Sequence, residues 1–169
     1  LRAHLAEDVQ GWVAALINGE IGAAAELADR VHAQGFVTYA TRDLGAAQTY
    51  ARERYAGNPD ARFGLIASSR ARNLPANGVR NDWAYTRQLR VGPWYNATPT
   101  DPQSCCSFRD VATEFSCQGL ELDLPIVAWG DDLLWTSDGW QSPPSPRSTG
   151  SPRQPIGPAP SARPPVEAW

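Results

Sequence analysis

The sequence predicts an α/β fold, in which helices pack on the faces of a sheet. Two observations favour it: an apolar strand pattern, a capped helix and a second strand follow one another between residues 36 and 68, and a late apolar run at about 125–129 has the character of a buried strand. With 169 residues and 42% hydrophobic content, the chain can bury one core of ordinary size and has some residues left over.

The first 35 residues are predicted to be a helical lead-in. Apolar side chains recur at helical spacing, which predicts a helix that ends near Asn18 and Gly19. A second helix is expected from about residue 20 to 32, closing at Gly35. The apolar face of the first helix consists of Leu5, Val9, Trp12, Val13, Leu16 and Ile17.

Residues 36–140 are predicted to form the α/β domain. Residues 36–40 have the composition of a short strand, and Asp43 is a suitable N-cap for a helix that stops before the turn at 57–59. Residues 62–68 form the next predicted strand. After Trp135 the sequence shows no closing strand.

Residues 141–169 differ in kind from the rest of the chain. They contain nine prolines among Ser, Gly, Ala and Arg, and too few apolar side chains to offset the entropy of ordering them. This stretch is therefore predicted to be a disordered tail.

A motif in residues 111–132 carries the strongest functional signal. Thr113 stands five residues before the turn sequence Gln118-Gly119-Leu120-Glu121, which leads into the apolar strand. A hydroxyl and a bare glycine backbone can approach phosphate oxygens closely, and a carboxylate can accept hydrogen bonds from a sugar hydroxyl. This pattern resembles motif V of superfamily-one helicases. The alternative is a loop glycine before a core strand, flanked by solvated acids.

Two longer blocks, residues 50–82 and 90–132, extend the resemblance. Together they resemble the C-terminal half of bacterial Schlafen group 3-like DNA/RNA helicases, over roughly residues 36–135. The resemblance implies an incomplete RecA-like second motor domain, a P-loop NTPase-type sheet with flanking helices. It also implies ATP-dependent work on single-stranded DNA or RNA, and an N-terminal motor domain as partner.

The resemblance assigns roles to the motif residues. Thr113 and Gly119 would contact nucleic-acid phosphates, Gln118 would lie at the nucleotide interface, and Glu121 would bind a sugar hydroxyl.

Two further pairs are candidates. Arg70 and Arg72 occupy the place of motif IV and are candidates for the nucleotide interface, with a surface charge as the alternative for each. Trp94 and Tyr95 are candidates for stacking on a base of the nucleic acid, with core packing as the alternative.

Composition limits what the chain is expected to do alone. All 15 basic residues are arginines, so the Walker A lysine and its GxxxxGK[ST] loop are absent, and no LTR string supplies a motif VI arginine. No complete catalytic set is therefore expected, and ATP and Mg²⁺ are expected only with the N-terminal motor domain. Because the chain opens on Leu1 and contains no Met, it is expected to be a piece of a longer reading frame. Arginine in place of lysine, together with much alanine and proline, suggests a GC-rich bacterial genome.

Charge is unevenly distributed along the chain. Residues 52–90 hold eight arginines and three acids, for a net charge of +5, whereas residues 101–138 have a net charge of −7. The basic segment could follow a phosphate backbone, as in a stand-alone nucleic-acid-binding module, or could form salt bridges with the acidic segment. A metal nuclease built on Glu114, Glu121 and Asp123 is a further alternative, weakened by the absence of a lysine.

The remaining features point to a cytoplasmic protein without metal or membrane. Cys105, Cys106 and Cys117 are too few for a disulfide framework or a four-cysteine zinc site, and are expected to be small apolar side chains in a reducing compartment. No apolar run is long enough to span a membrane.

Overall fold

The computed structural model describes residues 2–142. In chain order, the helices are α1 (Arg2–Asn18), α2 (Ile21–Ala33), α3 (Leu44–Arg54), α4 (Trp83–Thr86) and α5 (Val91–Asn96). The strands are β1 (Phe63–Ala67), β2 (Val111–Thr113), β3 (Leu124–Ala128), β4 (Leu134–Thr136) and β5 (Gly139–Gln141). Short 3-10 turns lie at Leu74–Asn77 and Cys105–Ser107.

A three-stranded parallel sheet organises the domain, in the order β2-β1-β3. Ala67, at the end of the central strand, pairs with Thr113 on one side and with Ala128 on the other. All three strands therefore end at one edge of the sheet, which brings the loops that follow them together.

The core lies around the central strand. Leu65 is 1% exposed, and Trp94 of α5 is buried to the same extent. A Cβ on Gly64 would lie 2.9 Å from the Trp94 ring, so the indole packs directly on the β1 backbone. Cys105 and Cys106 are buried free thiols beside it, as expected, whereas Cys117 is half-buried.

The helical lead-in packs against the C-terminal hairpin. Gly19, with a φ of +75°, separates α1 from α2, and Ala15 and Val31 are buried between these helices. The Trp140 indole of β5 donates a hydrogen bond to the Leu16 carbonyl at 2.7 Å. The lead-in is thereby fastened to a segment from the other end of the described chain.

The α/β fold and most of the expected elements are confirmed. Both lead-in helices end at their glycines, and Asp43 caps α3 by accepting a hydrogen bond from the Ala46 amide at 3.1 Å. β1 and β3 lie within one or two residues of the predicted strands.

Two predictions about strands are wrong. Residues 36–40 form no strand, because no neighbouring strand pairs with them and Tyr39 remains 70% exposed. Strands do follow Leu133, since β4 and β5 form an antiparallel hairpin in which Trp135 pairs with Trp140. The tail predicted at 141–169 lies outside the described residues except for Gln141, which ends β5, and Ser142.

Candidate nucleic-acid interface

Hydroxyl and carboxylate groups join the three loops at the carboxyl edge of the sheet. Ser69, two residues past β1, donates from its amide and its Oγ to the two carboxylate oxygens of Glu114, at 2.9 and 2.6 Å. Ser68 Oγ donates to Asp132 Oδ2 at 2.5 Å. Ligands of open parallel sheets bind outside this edge, so these loops form the candidate interface.

Close backbone contact holds the loops after β1 and β3 together. A Cβ on Gly130 would lie 2.2 Å from the Ala71 Cβ, which leaves no room for a side chain at residue 130. The Asp131 amide donates to Asn73 Oδ1 at 3.2 Å. Gly130 is therefore required by the packing of one loop on the other.

The carboxyl group of Glu114 stays ionised to lower pH than usual. Burial raises its pKa. The hydrogen bonds from Ser69 and the positive charge of Arg70 together lower the pKa by more than burial raises it, so the pKa lies below its ordinary value. The Glu114 side chain, in its ionised form, thus links the loop after β1 to the loop after β2.

Thr113 begins the turn that carries the helicase-like motif. It is the last residue of β2 and is 6% exposed. Its amide donates to Ser116 Oγ at 2.8 Å, and its carbonyl accepts from the Ser116 and Cys117 amides at 3.0 and 3.1 Å. The Thr113 hydroxyl, which is predicted to contact a phosphate, therefore lies at the sheet edge and is largely covered.

The later motif residues lie on the surface. Gly119 has a φ of +77° and nothing within 4 Å of a would-be Cβ, so its conformation, rather than crowding, favours glycine. Gln118 and Glu121 are exposed. The Glu121 main-chain oxygen accepts a hydrogen bond from the Tyr95 hydroxyl at 2.9 Å, a contact that does not use the carboxylate.

Of the Trp94-Tyr95 pair, Trp94 is not placed to stack on a base. Trp94 is 1% exposed, so its ring has no free face, and core packing describes its position. Tyr95 is half-buried against the core and its hydroxyl is engaged by Glu121. The prediction that Trp94 stacks on a base is therefore wrong, because its ring is buried.

The basic segment makes no ion pair with the acidic segment in the part of the chain that the structure describes. One ion pair of the lead-in joins Arg30 to Asp8, at 3.9 Å. Several arginines of residues 52–90 instead lie over aromatic rings, as Arg52 does over Phe108 at 4.9 Å. Arg70 and Arg72 are exposed on the loop after β1, beside the candidate interface.

Neither a Walker A lysine nor a metal-binding cluster is found in the part of the chain that the structure describes. The chain has no lysine for a Walker A loop. Between residues 2 and 142, no group of three or more His, Cys, Asp or Glu side chains is placed to hold a metal. The carboxylates suggested for a nuclease, Glu114, Glu121 and Asp123, accordingly form no such cluster. No helix in the same range has the length and apolar character needed to cross a membrane.

Sequence reasoning missed the Ser69–Glu114 and Ser68–Asp132 links. Each pair is separated by at least 45 residues, and its meeting depends on the order of the strands. The available signal was the pair of serines directly after an apolar strand, since polar residues at strand ends mark the ligand edge of a parallel sheet.

Comparison with known proteins gives one family. The family profile described as Schlafen group 3, DNA/RNA helicase domain, matches residues 1–152. Searches of curated proteins and of solved structures give no significant match. The profile match covers most of the chain, including both blocks that carry the resemblance and the lead-in helices before them. The chain belongs to the Schlafen group 3 DNA/RNA helicase domain family.

Proposed function

We propose that this chain supplies nucleic-acid and nucleotide-interface contacts of an ATP-dependent helicase motor and is not catalytically complete alone. Its partners would be single-stranded DNA or RNA and an N-terminal motor domain, which would bring the P-loop and the Mg²⁺ ligands. The parallel sheet would then be part of a RecA-like second motor domain. Family membership supports this proposal.

The observation that carries the proposal is the position of the motif turn. Thr113 ends β2 at the carboxyl edge, and the next residue, Glu114, is fixed to the loop after β1 by Ser69. The turn that leads to Gly119 therefore starts from the edge at which parallel sheets bind their ligands.

Each motif residue has a chemical task in this arrangement. The bare backbone at Gly119 allows close approach of a phosphate, and the exposed carboxylate of Glu121 can accept from a sugar hydroxyl. Gln118 would lie beside the nucleotide. Arg70 and Arg72, both exposed, would supply the positive charge that phosphates require.

A stand-alone nucleic-acid-binding module is the second candidate. It is favoured by the absence of ion pairs between residues 52–90 and the acidic segment within the described chain, and by the exposure of most of these arginines. Such a module would bind nucleic acid without any N-terminal motor domain.

Binding of fluorescent single-stranded oligonucleotides at several salt concentrations tests the proposal. We expect the double variant Arg70→Gln/Arg72→Gln to bind more weakly and to lower the salt slope by about 0.7 for each phosphate that it no longer neutralises. The matched control is Arg52→Gln/Arg54→Gln, which removes two exposed positive charges in the last turn of α3, where Tyr55 stacks on Phe63 at the start of β1 and therefore at the opposite edge of the sheet. Equal weakening in both double variants would contradict a site at the carboxyl edge.

The two candidates differ in their response to a partner. Under the motor proposal, adding an N-terminal motor domain of the same family makes oligonucleotide binding depend on ATP. Under the module alternative, binding is the same with and without that domain.

A further inference from the structure

The short helix α4 presents aromatic and basic side chains to solvent beside the candidate interface. None of its four residues is buried, and its turn is closed by the Asp82 carbonyl, which accepts hydrogen bonds from the Tyr85 and Thr86 amides. Trp83 is 73% exposed and Tyr85 is 45% exposed. These two rings therefore add little apolar burial to the core, and they remain accessible to a partner.

Each of the two rings is paired with an arginine. The Arg87 guanidinium lies 4.6 Å from the centroid of the Trp83 ring, and the Arg80 guanidinium lies 3.7 Å from that of Tyr85. Both arginines are exposed. Because one guanidinium can cover only one face of the Trp83 ring, the high exposure of this side chain leaves its other face open. We call Arg80, Trp83, Tyr85 and Arg87 the α4 strip.

The α4 strip lies on the β2 side of the sheet and extends the candidate interface. Trp83 lines a cavity of about 270 Å³ together with Ser69, which follows the end of β1. Tyr85 lines a smaller cleft together with Val111, the first residue of β2. Since β1 and β2 are parallel, the strip runs from the carboxyl edge toward the start of β2.

Positive charge dominates this part of the chain. Residues 69–90 contain five arginines and one acid, Asp82, for a net charge of +4, although the whole chain has a net charge of −3. A partner of negative charge is therefore favoured. An acidic peptide would satisfy the arginines and leave the Trp83 ring bare. A single-stranded nucleic acid offers both phosphates for the arginines and a base face for the ring.

We propose that the α4 strip is a contact surface for single-stranded nucleic acid, in which a base stacks on the open face of Trp83 and phosphates pair with Arg80 and Arg87. The proposal rests on the proposed function, because it extends the path of the bound strand beyond the carboxyl edge. Every base has a π-face, so the α4 strip adds affinity without a sequence preference and suits DNA and RNA alike.

Fluorescence anisotropy with two labelled strands of equal length tests the stack. One strand carries thymines and the other is abasic, so the two share their phosphates and differ in their bases. We expect Trp83→Ala to bind the thymine strand about 5- to 150-fold more weakly, which is the loss of one stacked base. Binding of the abasic strand should be unchanged, and Trp83→Phe should retain most of the affinity for thymines. Equal losses for both strands in Trp83→Ala would overturn the stack.

The matched control for the ring is Tyr39→Ala. It removes another exposed aromatic ring, one that packs on Tyr50 of α3 and lines neither the cavity nor the cleft. Affinity for the thymine strand should be unchanged in this variant. Trp83 lies on the surface, so Trp83→Ala is expected to keep the fold, which a thermal melt checks.

Salt dependence tests the arginines of the α4 strip. We expect Arg80→Gln/Arg87→Gln to lower the salt slope by about 0.7 for each phosphate that it no longer neutralises. Arg52→Gln/Arg54→Gln is again the matched control, because it also removes two exposed arginines that lie over aromatic rings. Equal slopes in these two double variants would overturn phosphate pairing at the strip.

Failure of this proposal and failure of the proposed function give different results. If Arg70→Gln/Arg72→Gln weakens binding and the variants of the α4 strip bind like wild type, the strip is overturned and the proposed function is intact. If the strip variants weaken binding and Arg70→Gln/Arg72→Gln does not, the site at the carboxyl edge is contradicted and the strip is supported. Binding of polyglutamate without binding of either strand overturns the strip in favour of an acidic protein partner.

Discussion

Ser69 holds both carboxylate oxygens of Glu114, one through its amide at 2.9 Å and the other through its Oγ at 2.6 Å. The two residues follow neighbouring parallel strands, so this paired contact fixes the spacing between the loops that leave β1 and β2. The motif turn starts in the second of these loops, and its position therefore depends on a residue 45 positions earlier in the chain.

The pH dependence of stability should report this contact. Because the folded-state pKa of Glu114 is lower than the ordinary 4.5, its carboxylate stabilises the fold above that pH, and the contribution disappears as the pH falls through the folded-state pKa. We expect Glu114→Gln to be less stable at pH 7 and to lose less stability between about pH 5 and pH 3. Urea unfolding across this range is the measurement, and Ser69→Ala should give an intermediate slope. Parallel curves for wild type and Glu114→Gln would contradict the assignment.

Gly130→Ala should destabilise the protein by about 1–3 kcal/mol, a typical cost of overpacking. The added methyl group would meet the Ala71 side chain and the Asn73 Oδ1, so the loops after β1 and β3 must separate. Gly92→Ala is the control, because nothing lies within 4 Å of that Cβ and the position is in α5. Thermal melts of both variants should show a fall for Gly130 and little change or a rise for Gly92.

Trp140→Phe should loosen the helical lead-in. The substitution removes the indole N–H that bonds the Leu16 carbonyl, and a net cost of about 0.5–1.5 kcal/mol is expected. Hydrogen exchange in α1 and α2 should rise. Trp129→Phe removes a comparable indole bond, to the Leu133 carbonyl, but that bond is local to the hairpin region. Because the Trp129 ring packs on that of Trp140 at 5.7 Å, a smaller rise is expected in Trp129→Phe, and unchanged exchange of the lead-in in Trp140→Phe would contradict a role for the Trp140 bond.

The chain alone should hydrolyse no ATP above background. It lacks a lysine for the Walker A loop and the LTR string of motif VI, whose arginine finger is worth roughly 10³–10⁵ in turnover. Phosphate release is to be measured with and without single-stranded DNA or RNA. A nucleic-acid-stimulated rate of about 1 s⁻¹ would contradict the expectation.

Glu121→Ala should lower nucleic-acid-coupled ATP turnover once an N-terminal motor domain is supplied. Loss of one hydrogen bond to a charged acceptor, about 1.5–3 kcal/mol, predicts a fall of roughly ten- to a hundredfold. Because the side chain is exposed, a thermal melt should be unchanged. Steady-state rates that match wild type in the folded variant would remove Glu121 from the interface.

Local signals in the sequence predicted the helices well. Glycines at 19 and 35 end α1 and α2 in left-handed conformations, and the Asp43 cap places the start of α3. These signals act within a few residues and need no information about the fold.

Strands are harder to predict from the sequence, because a strand forms only where a neighbouring strand pairs with it. Residues 36–40 have strand composition but no neighbour to bond with, and β2 is only three residues long, too short to show a pattern. The β4–β5 hairpin did leave a signal, the Asp138-Gly139 dipeptide between two tryptophans, which is typical of a turn.

The motif residues were visible in the sequence, but their surroundings were not. Which side chains meet at the carboxyl edge depends on the strand order, and that order brings Ser68 to Asp132 across 64 positions. Likewise, nothing in the sequence distinguishes buried Trp94 from exposed Trp83, because both stand in short helices rather than in long periodic ones.

The hydrogen bond from Trp140 to Leu16 can form only late in the synthesis of the chain. It joins residues 124 positions apart, so α1 and α2 leave the ribosome long before the hairpin that covers them. At typical synthesis rates the delay is on the order of ten seconds. Throughout that interval the Leu16 carbonyl lacks its Trp140 partner and Gly19 lacks the packed ring of Trp135, so we expect the newly made lead-in to be open to capture by a chaperone.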